Sequence, residues 1–271
     1  MQNNSSDMVK CAVIQMNSSD DWRENLLSAQ AFIKEASDNN ARLIVLPENF
    51  LCFGASALSI FAPHVSECIS ALQSLSDMLG VTLVCGSVPI EANDSKYFAR
   101  CYVLRPGVSA SYYDKIHLFD VDVQDGVGAY RESDTYVAGS TPVVCDAEGQ
   151  MLGLSICYDL RFPELYQKYL QQGASLISVP SAFTYTTGKS HWEILLRARA
   201  VETQCYILAA NQCGEHGGGR QTWGHSMIVA PTGEVLSSCD NTPGICYALA
   251  DTSTLEKVRS AMPLKAHKRL I

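Results

Sequence analysis

The sequence predicts a single domain of the mixed α/β class. Short apolar runs rich in Val, Ile and Leu alternate with amphipathic stretches of helical length along all 271 residues. The turn at residues 231–234 (PTGE) suits a β-hairpin, so we expect a mixed sheet rather than a purely parallel one. No repeat, low-complexity tract or Pro/Ser-rich linker divides the chain, and its length allows one large domain.

Each predicted strand is a short apolar run rich in β-branched residues, and each predicted helix has an apolar face at helical spacing. The strands are expected at 9–15, 42–46, 81–88, 99–104, 143–145, 152–156, 175–179, 205–210, 226–230 and 245–250. The helices are expected at 22–37, 65–79, 163–172, 191–203 and 254–262. Residues 119–139 show no period, which predicts a long functional loop. We expect poor order in residues 1–8 and one domain over residues 9–271.

Composition excludes several classes of protein. Hydrophobic residues make up 47% of the chain and charged ones 18%, which is typical of globular proteins and not of disordered or fibrous ones. The net charge of -8 gives no attraction to nucleic acid or to anionic membranes. No apolar run approaches the roughly 18 residues of a membrane helix, and the polar first eight residues do not resemble a signal peptide.

Eleven cysteines lie at scattered positions with no CxxC pair. This pattern predicts reduced thiols in a cytoplasmic protein, one of which could be a nucleophile. The sequence contains no HExxH motif and no paired Cys/His spacing, so we expect neither a metal nor an organic cofactor.

Cys157 has the local context of a nucleophile. It directly follows the predicted strand 152–156 and comes six residues before Pro163, which suits the first turn of a helix. A side chain at such a turn is held rigidly, and backbone N–H groups nearby are expected to lower the thiol pKa and to bind an oxyanion. The alternative for each cysteine is a buried, inert thiol.

Glu48 is the candidate base for this thiol. It follows an apolar strand that Pro47 ends, and an apolar surrounding of this kind would suit a general base. The alternative is an exposed loop carboxylate. We interpret His117 and His191 as hydrogen-bonded structural histidines. The HGGG run at 216–219 matches an oxyanion motif of esterases, but no GxSxG follows it, so we interpret it as a mobile surface loop.

Three segments together resemble the motifs of the nitrilase superfamily, in the same order: LPENF at 46–50, YDKIHLF at 113–119 and SICYDLRFPE at 155–164. The likeness extends through 119–123, 130–133, 188–213 and 223–226, and within the superfamily it is nearest to the Nit branch of amidases. It implies a four-layer αββα sandwich and a catalytic triad formed by Glu48, Lys115 and Cys157. Glu132 matches an additional glutamate that would hold Lys115 and the substrate nitrogen.

The resemblance also implies a mechanism. Glu48 would take the thiol proton, Lys115 and the Tyr158 backbone N–H would stabilise the oxyanion, and a thioester on Cys157 would be hydrolysed. Segments 160–164, 202–206 and 211–214 are more similar to amidases that act on deaminated glutathione than to omega-amidases. The implied reaction cleaves the amide between a 2-oxoglutaryl group and Cys-Gly.

An anionic substrate of an acidic protein needs a local cation. Arg161, four residues after Cys157, is our candidate, and its alternative is a structural ion pair with Asp159 or Glu164. Phe183 and Thr187 are weaker candidates for the pocket wall. We expect a homodimer or higher homo-oligomer, because family members pair through helices near the nucleophile.

Other functions remain open at this point. They are an omega-amidase, another amidase or carbamoylase of the superfamily, a catalytically silent binding subunit, and an acyltransferase that passes the acyl group to an amine. Product analysis with and without added amines would separate these classes, because a silent subunit yields nothing and a transferase yields a new amide.

Overall fold

The computed structural model describes residues 8–54, 57–92, 95–123 and 128–269. The strands in these residues are β1 (Met8–Gln15), β2 (Leu43–Leu46), β3 (Thr82–Glu91), β4 (Tyr97–Arg105), β5 (Val108–Asp114), β6 (Asp120–Val123), β7 (Gly128–Arg131), β8 (Val144–Ala147), β9 (Gln150–Leu154), β10 (Leu176–Ser178), β11 (Tyr206–Ala209), β12 (Cys213–Glu215), β13 (Gln221–Trp223), β14 (Met227–Val229), β15 (Val235–Ser238) and β16 (Gly244–Asp251). The α-helices are α1 (Trp22–Asp38), α2 (Leu58–Phe61), α3 (Val65–Leu79), α4 (Pro163–Gln171), α5 (Tyr185–Thr203), α6 (Thr252–Ala261) and α7 (Leu264–His267).

Most strands belong to two six-stranded mixed sheets. The strand order is β16-β1-β2-β3-β4-β5 in the first sheet and β15-β14-β11-β10-β9-β8 in the second. Helices α1 and α3 contact the first sheet, and α5 contacts the second. Among the described helices, none combines the length and apolar character needed to cross a membrane.

Strand β1 shows how the layers stack. Its side chains alternate between two apolar cores, and those from Cys11 to Gln15 are all buried. Cys11 and Val13 lie in the core between the two sheets, whereas Ala12 and Ile14 lie in the core shared with α1 and α3. Burying a Val or Ile side chain contributes roughly 1.5–3 kcal/mol, so a strand apolar on both faces is stabilised by covering both. The helix–sheet–sheet–helix order confirms the expected four-layer αββα sandwich.

Strand direction brings the functional segments to one end of the sandwich. Strands β1, β2 and β3 run parallel, and so do β9, β10 and β11. Strand β5 has the same direction as β3, because each pairs antiparallel with β4. Glu48, Lys115 and Cys157 follow the carboxyl ends of β2, β5 and β9, where ligands of α/β sheets bind.

Two predictions differ most from the structure. Residues 119–139 are not one irregular loop: β6 and β7 pair as a hairpin, and a 3-10 turn follows at Glu132–Asp134, although residues 124–127 lie outside the described residues. Helix α5 begins at Tyr185 rather than at residue 191, because the Thr184 side chain caps it by accepting from the Thr187 N–H. Gly188 lies in the first turns of α5 and packs against Trp223. An added Cβ there would lie 2.2 Å from the Trp223 Cβ, so the position requires glycine.

The predicted hairpin turn at 231–234 is confirmed between β14 and β15, with Gly233 at φ +84°. Strand β1 begins at Met8, and residues 1–7 of the predicted poorly ordered segment lie outside the described residues.

Candidate active site

Cys157 lies in the turn between β9 and α4. Its φ of +47° is in the left-handed region, which is strained for a residue with a Cβ, and its N–H donates to the carbonyl of Pro180 at 2.8 Å. A 3-10 helix, Cys157–Arg161, begins there, and Pro163 then begins α4 as predicted. The backbone N–H of Tyr158 therefore belongs to the first turn of a helix, whose first N–H groups have no intrahelical acceptor. This turn holds the thiol at a fixed position.

A buried carboxylate joins this turn to the end of β5. Asp159 Oδ2 accepts from the Ile156 N–H at 2.8 Å and from the Tyr113 hydroxyl at 2.7 Å. Asp159 Oδ1 accepts from the His117 N–H at 3.0 Å and lies 2.7 Å from His117 Nδ1. Tyr113 and His117 flank Lys115 in the sequence, so this network fixes the lysine relative to the cysteine. His117 is a hydrogen-bonded structural residue, as predicted.

Lys115 lies between two carboxylates. Its Nζ is 2.8 Å from Glu48 Oε1 and 2.8 Å from each carboxylate oxygen of Glu132. Glu132 Oε2 also accepts from the Phe119 N–H at 2.6 Å, and Lys115 is only 2% exposed. The additional glutamate therefore contacts the lysine, as the resemblance implies.

The backbone of Glu48 is held by contacts from both sheets. Gln212, just beyond β11, donates from Nε2 to the Glu48 carbonyl at 3.0 Å. Gly86, at a bulge in β3, has φ +34°, and an added Cβ would lie only 1.8 Å from the Pro47 carbonyl oxygen. The segment that carries Glu48 thus packs directly against bare backbone, which only glycine permits.

Burial and the neighbouring carboxylate determine the state of the thiol. Burial, followed by the Glu48 charge, raises the pKa of the Cys157 thiol well above its usual range, against the opposing effect of Lys115 and of a hydrogen bond with the Ala182 backbone. The expectation of a lowered thiol pKa is therefore wrong, because desolvation outweighs the local N–H groups. The resting Cys157 thiol is therefore neutral, and the Glu48 side chain is hydrogen-bonded to it.

The two partners of Lys115 keep it charged. Burial lowers the pKa of Lys115, but the charges of Glu132 and Glu48 outweigh it and raise that pKa well above its usual range. Burial, together with the Glu48 charge, raises the pKa of Glu132, against the opposing effect of Lys115. The site thus contains a protonated thiol and a buried ammonium that lies between the side chains of Glu48 and Glu132.

All eight predicted site residues line one cavity of about 210 Å³. These residues are Glu48, Lys115, Glu132, Cys157, Tyr158, Arg161, Phe183 and Thr187. The guanidinium of Arg161 lies 5.3 Å from the Phe183 ring centroid and 3.1 Å from His191 Nδ1. Among the described residues Arg161 forms no ion pair with Asp159 or Glu164, so the structural alternative for this arginine is wrong.

Sequence reasoning missed several cavity residues. Tyr136 and Arg220 line the cavity, and neither stands in a motif that a single sequence reveals. The prediction of a mobile surface loop for the HGGG run is wrong for its first residue. His216 is buried and stacks on Phe53, with ring centroids 3.8 Å apart. Within the described part of the chain, no three His, Cys, Asp or Glu side chains are arranged to hold a metal ion.

A family model for carbon-nitrogen hydrolases matches residues 10–260. The chain belongs to this family. It is a hydrolase that acts on carbon–nitrogen bonds, and the match confirms the resemblance carried by the three sequence segments. A deaminated glutathione amidase of Yersinia enterocolitica is 40% identical over 268 residues, which are 96% of this chain and 93% of the relative. A chloroplastic omega-amidase of Arabidopsis thaliana is 35% identical over 94% of this chain and 71% of the relative.

A solved structure of the same fold is that of the NitFhit protein of C. elegans. It matches with a TM-score of 0.91 and 35% sequence identity over 97% of this chain. This chain spans 65% of the length of that protein. The superposition confirms the fold for nearly the whole of the chain.

Proposed function

We propose that this hydrolase is an amidase that cleaves a linear amide through a thioester on Cys157. The observation that carries the proposal is the contact set of a neutral thiol, the Glu48 carboxylate and the buried Lys115 ammonium at one cavity. A protonated thiol is a weak nucleophile, and the adjacent carboxylate can accept its proton in the attack.

Each of these groups has a role in the proposed acylation. Glu48 takes the proton of the Cys157 thiol while the sulfur bonds to the amide carbon. The Lys115 ammonium and the Tyr158 N–H stabilise the oxyanion that forms, because both are hydrogen-bond donors next to Cys157 and the ammonium is buried. Glu48 then gives the proton to the amine nitrogen, the carbon–nitrogen bond breaks, and the acyl group remains as a thioester.

Deacylation reuses the same groups. A water molecule gives a proton to Glu48 and attacks the thioester carbon, after which the Cys157 sulfur leaves and recovers the proton. Glu132 contacts Lys115 through both carboxylate oxygens, and we assign to it the orientation of the substrate nitrogen. No step in this scheme requires a metal or organic cofactor, and exhaustive chelation is expected to leave turnover unchanged.

Deaminated glutathione is the substrate we propose, with 2-oxoglutarate and Cys-Gly as products. Relatives of that activity support this choice, and so does Arg161, whose planar guanidinium can pair with the keto-acid carboxylate. The second candidate is 2-oxoglutaramate or 2-oxosuccinamate, because the omega-amidase relative covers nearly as much of the chain. Glutathione is expected to be a poor substrate, since its ammonium would meet the positive charges of Arg161 and Lys115.

A substrate panel with mass detection tests the proposal. It compares deaminated glutathione, glutathione, 2-oxoglutaramate, glutamine, an N-carbamoyl amino acid and a nitrile, each with and without an added amine. We expect the highest kcat/KM for deaminated glutathione and a lower value in the Arg161→Lys variant, which keeps the charge but loses the planar fork. Preferred turnover of 2-oxoglutaramate would favour the omega-amidase, and a new amide would indicate a transferase.

We further propose a cytoplasmic homodimer. All eleven cysteines are free, as expected in a reducing compartment. Helix α5 exposes Ile194 at 67% and Val201 at 47%, an apolar surface suited to pairing with a second copy. Light scattering of the wild type and of Ile194→Glu tests this, with a dimer expected for the first and a monomer for the second; a monomeric wild type would contradict the proposal.

A further inference from the structure

Four basic side chains line the catalytic cavity, and two of them have no acidic partner among the described residues. Lys115 is held by its two glutamates, and Arg131 pairs with Asp122 at 2.7 Å. Arg161 and Arg220 lie within 4.0 Å of no carboxylate in the described ranges. A half-buried guanidinium without a counter-charge is suited to an anionic ligand.

The loop that carries Arg220 is rigidly attached to the protein. His216 Nδ1 lies 2.9 Å from the Ser18 carbonyl oxygen, and its Nε2 lies 2.7 Å from Thr222 Oγ1. The His216 N–H donates to the Arg220 carbonyl at 2.8 Å, which closes the turn between β12 and β13. The glycines 217–219 therefore form a short anchored turn, and it presents the Arg220 side chain to the cavity.

A row of aromatic rings separates the two guanidinium groups. Arg220 lies 5.6 Å from the ring centroid of Tyr130, which is 5.2 Å from that of Phe119. Phe119 is 5.1 Å from the ring centroid of Tyr158, and Arg161 lies 5.9 Å from that ring. The two cations therefore stand at opposite ends of the row Tyr130–Phe119–Tyr158, and all five residues line the cavity.

We propose that Arg220 binds a carboxylate on the leaving group, at the opposite end of the substrate from Arg161. This inference rests on the proposed function. Deaminated glutathione has one carboxylate on each side of the scissile amide, separated by about three residue lengths, roughly 10 Å. A single arginine cannot bind both carboxylates, whereas the two arginines at the ends of the aromatic row can each bind one. An omega-amidase substrate releases ammonia and has no second carboxylate, so Arg220 is a specificity-determining residue.

The test removes each partner of this contact separately. Wild type and Arg220→Gln are compared on deaminated glutathione, on the same compound with its glycine carboxylate converted to an amide, and on 2-oxoglutaramate. Wild type is expected to prefer the free carboxylate by about 10- to 100-fold in kcat/KM, as expected for a charge-assisted hydrogen bond, mainly through KM. Arg220→Gln should reduce this ratio to about one and leave turnover of 2-oxoglutaramate unchanged, which also confirms that the variant folds.

Arg131→Gln is the matched control, because it removes an equal charge from the same cavity but from a side chain already held by Asp122. It should keep the wild-type preference for the free carboxylate. The inference is overturned if Arg220→Gln retains that preference, or if Arg131→Gln loses it equally, which would indicate a general field of the pocket. Failure of the proposed function looks different: wild type itself would then favour 2-oxoglutaramate or leave deaminated glutathione uncleaved.

Discussion

Replacing Asp159 with Asn should disconnect the Cys157 turn from the strand that carries Lys115. The two carboxylate oxygens accept two backbone N–H groups, those of Ile156 and His117, one on each oxygen. An Asn side chain has only one acceptor oxygen, and its NH₂ group must face one of those backbone donors whichever way the amide is turned. One buried N–H is therefore left without an acceptor.

The magnitude follows from these contacts. Loss of a charged acceptor costs about 1.5–3 kcal/mol, and an unpaired buried N–H costs about 1–3 kcal/mol, so we expect about 3–5 kcal/mol in total. For a domain of this size, this predicts a fall in Tm of at least about 6 °C. A shift of Cys157 relative to Lys115 should also lower kcat by about 10- to 100-fold, because reacting groups tolerate little misplacement.

The assay combines thermal unfolding with steady-state kinetics. Asp114→Asn is the control: it neutralises the residue next to Lys115, whose carboxylate pairs with Arg100 at 2.7 Å and is partly exposed. That variant should lose about 1 kcal/mol and keep its kcat. An Asp159→Asn protein with the Tm and kcat of the wild type would refute the role we assign to the network.

Three further predictions follow from the site and the core. Glu48→Gln should abolish acylation, a loss of about 10²–10⁴-fold, because the amide cannot accept the thiol proton, whereas Glu132→Gln should only slow acylation. Mass spectrometry of the acyl adduct checks this, and acylation at the normal rate in Glu48→Gln would reverse the two roles. Gly86→Ala should lose activity, because its Cβ would displace the Pro47 carbonyl. Gly149 also has a positive φ but has open space around it, so Gly149→Ala should lose only stability. Equal kinetics in the two variants would contradict this prediction. Burial raises the pKa of the Cys52, Cys68 and Cys213 thiols to about 11 from 9.0, so these thiols ionise first in the unfolded chain. The free energy of unfolding should therefore fall above pH 9, by about 1 kcal/mol per thiol between pH 9 and 10. A constant free energy of unfolding in urea titrations under reducing conditions would contradict this prediction.

Local patterns were sufficient where one short segment carries the whole signal. The sequence predicts both the apolar strand before Glu48 and the strand-to-helix turn at Cys157, because strand burial and turn chemistry depend on adjacent residues. Strand β5, which leads to Lys115, was not predicted: its residues alternate between serine, alanine and tyrosine and lack an apolar run. The lysine was therefore identified only through the family resemblance.

Contacts between distant segments could not be predicted from a single sequence. The sequence indicates Asp159 only as a possible partner of Arg161, yet its carboxylate accepts hydrogen bonds from His117 and Tyr113, more than forty residues away. The sequence predicts a mobile loop at 216–219 because no GxSxG follows the HGGG run, whereas His216 is anchored to Ser18 and Phe53, more than 160 residues earlier in the chain. Glycine content describes local freedom and not what a loop packs against.

The sequence by itself determined the α/β class, most of the strands and the family, and it indicated Cys157 and Glu48 as candidates for a nucleophile and its base, because each depends on residues that are close together in the chain. Tertiary structure decided the ionisation of the site and the charges that remain for a substrate. The Cys157 thiol is neutral because burial and the Glu48 charge act on it together. Within the described ranges Arg161 and Arg220 have no acidic partner, because folding places the nearby carboxylates on other groups. Desolvation and charge pairing depend on distances through space, which a linear pattern of residues does not specify.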